Sequence, residues 1–199
     1  MSHRLFISLP FPNSFRQPVA RVLGSVEAKL LPDIFRFVDP DLWHTTLLFL
    51  GDQEEENLAD IVSAIQDAVD NFSGAFESVF EKIDYGPERS NPKMLWLWGS
   101  QALSQGLEEL RDELQDSLIA YGVPFAPDNR RFTAHITLAR LRQGFEGQAR
   151  SKREKLLSLP EINKSLSVPA LVDEIQLVES VLTPAGSEYT VFGTFQLGA

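Results

Sequence analysis

Two short segments of the sequence carry the same arrangement of residues that could do chemistry. The segment HTTLLFLG begins at His44, and the segment HITLAR begins at His135. Each histidine is followed two residues later by a threonine and then by a leucine, in a chain with only three histidines. Because residues i and i+2 of a strand point to the same side, His44 shares a face with Thr46, and His135 shares a face with Thr137. Each strand therefore offers an imidazole beside a hydroxyl.

Two such strands facing each other across a cleft would suit a phosphate. Hydroxyls and protonated imidazoles donate hydrogen bonds to non-bridging phosphate oxygens. Two imidazoles with ordinary pKa values near 6.5 can act as acid and base close to neutral pH. Phosphodiester cleavage needs this division, because one proton leaves the nucleophile while another reaches the leaving oxygen. Cationic groups can carry the developing charge, so we expect neither a metal nor a cofactor.

Zinc is the competing use of paired histidines. A zinc site wants at least a third protein ligand, usually His, Cys or a carboxylate. The chain has no cysteine, and His3 lies close to its first residue. We therefore expect His3 to be structural or exposed, and we expect no residue of the chain to bind a metal ion.

Composition limits the class of protein. The chain has 199 residues, 43% of them hydrophobic, and a formal net charge of −10. These values are typical of a globular protein, and the lack of cysteine favours a cytoplasmic location. No apolar run approaches the roughly 20 residues of a membrane span, and the first residues do not resemble a secretory signal. Since nucleic-acid affinity comes mostly from neutralising phosphates, an acidic chain favours an RNA end or a short oligonucleotide over a long duplex.

Apolar periodicity predicts the elements that must position the two motifs. Spacings of three and four predict helices within 15–30, 58–72 and 103–118, the last capped by Ser100 and ended by Gly122. Strand-like segments are 4–9, 43–50, 77–85, 93–98, 132–141, 165–181 and 188–197, and a short basic helix is expected within 146–158.

The order of these elements suggests a weak internal duplication. Strands and helices do not alternate cleanly, which favours antiparallel sheets. We expect an α+β fold in which two pseudo-symmetric lobes of antiparallel sheet carry helices outside and enclose an active-site cleft. We treat residues 1–199 as a single bilobal domain. We expect a monomer, because the sequence shows no heptad repeat and no obvious exposed apolar stripe.

The two motifs resemble the paired signatures of the 2H phosphoesterase superfamily, and most closely those of the LigT-like (ThpR-like) RNA 2′,3′-cyclic phosphodiesterases. The opening LFISLPFP, the helix before the second motif and the ending SEYTVFGTF extend the similarity over essentially the whole chain. Ala134, directly before the second motif, stands where relatives often carry proline, which affects the stiffness of that loop.

The resemblance implies hydrolysis of an RNA 2′,3′-cyclic phosphate end to a 2′-phosphomonoester, and some relatives also join RNA halves through a 2′–5′ linkage. We assign His135 to activating water and His44 to protonating the departing 3′ oxygen, and the pseudo-symmetry of the two motifs leaves the reverse assignment open. Thr46 and Thr137 would hold phosphate oxygens, and Arg140 would contact the phosphate. Simple alternation places Arg140 opposite His135, so the strand must twist, bulge or end for Arg140 to reach the cleft.

Other side chains are expected on either side of these strands. Alternation places Leu47, Phe49, Ile136 and Leu138 toward a core. Aromatic rings can stack a terminal base, and the candidates are Phe11, Trp43 and Tyr189. We expect Phe11 to bind substrate at the cleft rim and Trp43 to face away from His44. Trp96 and Trp98 share a strand face and are expected to pack in the interior.

Two alternatives stay open from the sequence. A different 2H phosphoesterase could act on a small cyclic or 2′–5′ nucleotide instead of an RNA end. A non-catalytic nucleotide or RNA-end binder could keep the pocket without turnover, although the presence of both histidines and both threonines argues against it.

Overall fold

Nine strands and three α-helices make up the part of the chain that the computed structural model describes, which is residues 2–27, 35–88, 91–142, 159–162, 164–183 and 186–198. The strands are β1 (Ser2–Pro10), β2 (Phe35–Phe37), β3 (His44–Glu54), β4 (Phe76–Gly86), β5 (Met94–Gly99), β6 (His135–Leu141), β7 (Lys164–Val172), β8 (Glu174–Thr183) and β9 (Gly186–Gln196). The helices are α1 (Asn13–Glu27), α2 (Leu58–Asn71) and α3 (Gln101–Ala120).

The strands form two separate sheets. The first sheet has the order β3-β1-β8-β9, and the second has the order β2-β6-β5-β4-β7. All neighbouring strands in both sheets run antiparallel. The predicted α+β class with two antiparallel sheets is confirmed.

The two sheets are built from a repeated unit. In the first sheet, β1 leads through α1 to β3, which returns to pair with β1. In the second sheet, β5 leads through α3 to β6, which returns to pair with β5. Each unit therefore ends on one of the two motif strands, and this repetition is the physical form of the duplication expected from the sequence.

The three longer predicted helices are present as α1, α2 and α3, and α3 illustrates why. The Ser100 hydroxyl oxygen accepts a hydrogen bond from the Leu103 backbone N–H at 3.1 Å, as an N-cap residue should. Gly122 follows the helix with a φ of 71°, a left-handed conformation that favours glycine. The whole predicted stripe is buried, and it consists of Leu103, Leu107, Leu110, Leu114 and Leu118.

The closing strands differ from the expectation. The single strand predicted at 165–181 is two strands, β7 and β8, which belong to different sheets. The chain changes sheets at Asp173, whose carbonyl oxygen accepts a hydrogen bond from the Leu197 backbone N–H at 2.7 Å. Apolar residues continue on both sides of Asp173, so periodicity alone does not reveal the break. The three residues of β2 were not predicted, and the expected basic helix at 146–158 lies outside the described residues.

The core joins the two sheets and the helices in one cluster of buried apolar side chains. None of the described helices is long and apolar enough to cross a membrane.

Candidate active site

Both motif strands contain a one-residue bulge at the same place. On β3, Ser8 pairs with Thr46 and the preceding Ile7 pairs with Leu48, so Leu47 is the extra residue. On β6, an equivalent shift in the pairing with β5 leaves Leu138 as the extra residue. A bulge places two residues of one strand opposite one residue of its partner and so reverses the alternation beyond it.

The bulge explains how Arg140 reaches the cleft. From each histidine onward, the side chains are half-buried, buried, half-buried, buried, buried and then exposed. The exposed sixth position therefore returns to the histidine face, and it is occupied by Phe49 in one strand and Arg140 in the other. The expectation that Phe49 faces the core is wrong, since its side chain is 66% exposed.

The motif strands line one cleft of about 1300 Å³. Its walls include His44, Thr46, His135, Thr137 and Arg140, so the structure brings together all five of these sequence-predicted residues. Phe49 and Tyr189 line the same cleft.

Both imidazoles are held in the same way. His44 Nδ1 lies 2.8 Å from the Leu42 carbonyl oxygen, and His135 Nδ1 lies 2.7 Å from the Thr133 carbonyl oxygen. A carbonyl oxygen only accepts, so each Nδ1 must carry the hydrogen. Each neutral imidazole therefore keeps its lone pair on Nε2, which is the nitrogen left to accept or deliver a proton.

Aromatic rings hold the two imidazoles differently. The Trp96 ring stacks on His135 with 3.7 Å between centroids and 24° between planes. His44 instead has a tilted contact with Phe6 at 5.2 Å and an edge contact with Tyr189 at 5.4 Å. Trp96 is buried, as expected, and packs against Trp98, and its ring also lines the cleft.

The position of Trp96 depends on a glycine in the neighbouring strand. A Cβ on Gly86, which lies on the neighbouring strand β4, would come within 2.4 Å of the Trp96 ring. Glycine at this position therefore lets the indole lie flat against the sheet and under His135.

Two aromatic candidates lie away from the cleft. The expectation that Phe11 binds substrate is wrong, because Phe11 is 6% exposed, stacks on Phe15 at 4.3 Å and meets the Phe80 ring at 5.4 Å. Directly after β1, its ring turns into the core rather than toward the rim. Trp43 faces away from His44 as expected, and its Nε1 donates to the Val38 carbonyl oxygen at 3.1 Å.

The third histidine also lies outside the cleft. His3 Nδ1 lies 2.7 Å from Glu179 Oε1, and its ring meets Phe192 edge-on. Among the described residues, no three histidine or acidic side chains gather in a group that could hold a metal ion.

Ala134 gains a hydrogen bond that proline could not make. Its backbone N–H donates to Ser104 Oγ at 3.0 Å, and its carbonyl oxygen accepts from the Gly99 backbone N–H at 2.8 Å. These bonds tie the residue before His135 to α3 and β5, so a hydrogen bond supplies the stiffness that a proline ring would otherwise supply.

The side chain of Thr45 links the two motifs. The buried Thr45 hydroxyl, which points away from the cleft, donates to the His135 carbonyl oxygen at 3.1 Å. This bond crosses from the first sheet to the second, and it helps to set the separation of the two histidines. Nothing in the sequence pattern indicates this long-range partner of Thr45.

Burial lowers the pKa of both catalytic candidates. Loss of hydration is the largest effect on His44 and on His135 and takes each pKa below the ordinary 6.5. The bonds to the Leu42 and Thr133 carbonyls oppose it, since they favour the charged form. Nearby charge lowers both further, from Arg140 at His44 and from His44 at His135.

Two motif strands, each ending a repeated unit and facing one cleft with an imidazole Nε2, define a two-histidine phosphoesterase architecture. The chain belongs to the LigT-like phosphoesterase family, whose model matches residues 9–96 and 98–189.

Similar proteins agree with this assignment. An RNA 2′,3′-cyclic phosphodiesterase of Methanothermobacter thermautotrophicus is 27% identical over 99% of this chain and 100% of its own length. One of Geobacillus stearothermophilus is 31% identical over 84% of this chain, which spans about half (50%) of that relative. The crystal structure of a Thermus thermophilus protein has a TM-score of 0.72 at 25% identity, covering 98% of this chain and 97% of that one. Escherichia coli LigT, solved with 3′-AMP, has a TM-score of 0.74 at 21% identity over 100% of both chains, a likeness of fold.

Replacing Thr45 by valine should loosen the link between the motifs. The isosteric change removes one buried hydroxyl–carbonyl bond, so we expect the free energy of unfolding in urea to fall by about 0.5–1.5 kcal/mol. The ring signals of His135 should shift in NMR spectra, whereas those of His3 should not. Thr45→Ser keeps the hydroxyl and serves as the control. Unchanged stability and unchanged His135 signals in Thr45→Val would refute the link.

Removing the charge of Arg140 should change the titration of one histidine. Because Arg140 disfavours the His44 imidazolium, we expect Arg140→Gln to raise the pKa of His44, which then gains its proton at a higher pH. Arg140 is not among the causes of the His135 shift, whereas the charge of His44 lowers the pKa of His135, so the pKa of His135 should not rise with that of His44. NMR titration of the imidazole Hε1 signals measures both, and a His44 pKa that stays or falls would contradict the assignment.

Proposed function

We propose that this chain hydrolyses the 2′,3′-cyclic phosphate at an RNA 3′ end and leaves a 2′-phosphomonoester. The observation that carries the proposal is the placement of two Nε2 atoms, two threonines and one arginine on the walls of a single cleft. Membership of the LigT-like family, and relatives named RNA 2′,3′-cyclic phosphodiesterase, support the same substrate.

The reaction needs two proton transfers. Water attacks phosphorus as neutral His135 takes a water proton on Nε2. The bond between phosphorus and the 3′ oxygen breaks, and His44 delivers its Nε2 proton to that oxygen. The product has a 2′-phosphate and a 3′-hydroxyl, and a proton moves from His135 back to His44 through solvent before the next turnover.

The surroundings of the two histidines favour this division of roles. Positive charge develops on the base during the reaction, and the π face of Trp96 under His135 stabilises an imidazolium. Positive charge leaves the acid, and Arg140 near His44 favours that loss. Both effects are larger in the transition state than in the bound substrate, which is the requirement for catalysis.

The remaining cleft residues would bind the substrate. Thr46 and Thr137 lie beside the histidines and donate to the non-bridging oxygens, and Arg140 neutralises phosphate charge. Phe49 offers an exposed ring in the same cleft for stacking of the terminal base, the role that the sequence had suggested for Phe11. Tyr189 lines the same cleft, and its ring meets that of His44 edge-on.

The same groups could serve a second reaction. If a 5′-hydroxyl end takes the place of water, the two proton transfers join two RNA ends through a 2′–5′ linkage. The monomeric state and the cytoplasmic location stay predictions of the sequence.

The direct test is to identify the terminus produced. We expect the purified protein, in EDTA, to convert a short RNA ending in a 2′,3′-cyclic phosphate to one ending in a 2′-phosphate, read by mass spectrometry and by resistance to enzymes specific for 3′-phosphates. A 3′-phosphate would overturn the assigned leaving group. Loss of turnover in EDTA would refute metal independence, and binding without turnover would favour the non-catalytic alternative.

Replacing each histidine by alanine should distinguish acid from base. On ordinary substrate, His44→Ala and His135→Ala should each lose about 10²–10⁴-fold in kcat, whereas Thr46→Ala and Thr137→Ala should lose about tenfold. A substrate with sulfur in place of the bridging 3′ oxygen has a leaving group that needs no proton. This substrate should restore the kcat of His44→Ala but not the kcat of His135→Ala. Restoration of His135→Ala alone would reverse the roles.

A further inference from the structure

The loop between α3 and the second motif strand forms one wall of the cleft. We call residues 126–133 the arginine loop. Its members that line the cleft are Ala126, Pro127, Asp128, Arg130, Arg131, Phe132 and Thr133.

Buried polar side chains of α3 hold the arginine loop by its backbone. Arg111, only 3% exposed, donates from Nη1 to the Arg130 carbonyl oxygen at 2.7 Å. The buried Gln115 accepts the Asp128 backbone N–H at 2.6 Å. Charged and amide side chains are seldom buried unless they are paired, so α3 devotes its two buried polar residues to shaping this loop.

The charged side chains that the arginine loop presents to the cleft are one internal ion pair and one further arginine. Arg130 is 88% exposed and donates from Nε and Nη2 to the two carboxylate oxygens of Asp128 at 2.9 and 2.6 Å. This pairing lowers the pKa of Asp128 to about 2, so the loop keeps its internal ion pair over the whole working range of pH. Arg131, next along the chain, is exposed and lines the cleft.

The segment that precedes the first histidine carries acidic side chains instead. The 3₁₀ turn Pro40–Leu42 precedes His44, and it carries Asp39 at its N-cap and Asp41 within it. Asp41 is paired with Arg16 at 2.7 Å, so Asp39 is the acidic residue of this turn that lines the cleft, whereas Arg130 and Arg131 line it ahead of His135. The segments that precede the two histidines therefore differ in charge.

The cleft is larger than a single nucleotide needs. Its volume of about 1300 Å³ exceeds the roughly 300–1,000 Å³ of ordinary small-molecule sites. Its lining also runs against the net charge of −10, since it holds five arginines and two aspartates, with Arg130 paired to Asp128 and the buried Arg111 paired to Asp112 outside the lining. The arginines are Arg36, Arg111, Arg130, Arg131 and Arg140, and the aspartates are Asp39 and Asp128.

We propose that the arginine loop is a second phosphate-binding subsite, which takes the phosphodiester on the 5′ side of the terminal nucleotide through Arg131. This inference rests on the proposed function and extends it from the reacting phosphate to the RNA strand behind it. Arg131 lies four residues before His135, and an extended chain of that length spans at most about 14 Å. A phosphodiester next to the reacting one falls within such a distance. The preferred substrate is then a single-stranded RNA end rather than a free nucleoside cyclic phosphate.

The test compares substrates that differ in the upstream phosphate. Uridine 2′,3′-cyclic phosphate and the uridine trinucleotide ending in the same group are hydrolysed by the wild-type chain, by Arg131→Gln and by Arg21→Gln. Arg21 is exposed on α1 away from the cleft, so its replacement is the matched control for net charge. The measured quantity is the ratio of kcat/KM for the trinucleotide to kcat/KM for the mononucleotide.

We expect this ratio to exceed one in the wild type and in Arg21→Gln and to fall about tenfold in Arg131→Gln. In fluorescence anisotropy, binding of the trinucleotide with a 2′-phosphate end should become less dependent on salt, with the log–log slope reduced by about 0.7 for one lost phosphate contact.

Each contrary result has a distinct meaning. Hydrolysis of both substrates with a ratio near one would overturn the subsite and leave the proposed function intact. An equal loss on both substrates in Arg131→Gln, or an equal fall of the ratio in Arg21→Gln, would also overturn it. If neither substrate reacts with the wild type, the proposed function itself fails.

Discussion

The bulge that follows each motif threonine decides which side chains share the cleft. A strand without the bulge would present the histidine and the threonine to the cleft and would turn the side chain at the sixth position of the motif into the core. With one extra residue at Leu47 and at Leu138, the sixth position of each motif returns to the histidine face. The pairing of β3 with β1 and of β6 with β5 holds both bulges in place. The cleft, its arginine and its exposed phenylalanine all depend on this local geometry.

The repeated architecture produces a site that is symmetric in shape and asymmetric in charge. The two imidazoles have the same tautomer, fixed by the carbonyl two residues before each of them. The sixth position of the motif is Phe49 in the first strand and Arg140 in the second. The turn before His44 carries Asp39, whereas the arginine loop precedes His135. Duplication therefore supplies the two groups that the proposed reaction uses for proton transfer, and departures from duplication can give these groups different roles and give the substrate a direction.

The sequence predicted the parts of this molecule that depend on local pattern. The helices, the Ser100 cap and the pairing of each histidine with a threonine follow from periodicity and residue type. Bulges depend on the partner strand, so alternation alone misplaced Phe49. Phe11 was misplaced because a loop aromatic at a strand end can turn to either side, and only the packing against Phe15 and Phe80 decides which. Local sequence patterns also do not predict long-range contacts. The stacking of Trp96 on His135 is one example, since it requires Gly86 on a different strand.

The burial of the histidines implies that the substrate completes the active form of the site. Desolvation outweighs the carbonyl bonds and keeps both pKa values low, so the empty site favours two neutral imidazoles near pH 7. Acid–base catalysis needs one of them protonated. A bound phosphate brings negative charge into the same low-dielectric cleft and raises the pKa of a neighbouring imidazole. It also offsets the repulsion between Arg140 and His44. In the proposed reaction, the proton that His44 delivers is thus favoured by the anion that requires it, and the apolar surroundings of the histidines strengthen this coupling when a phosphate is bound.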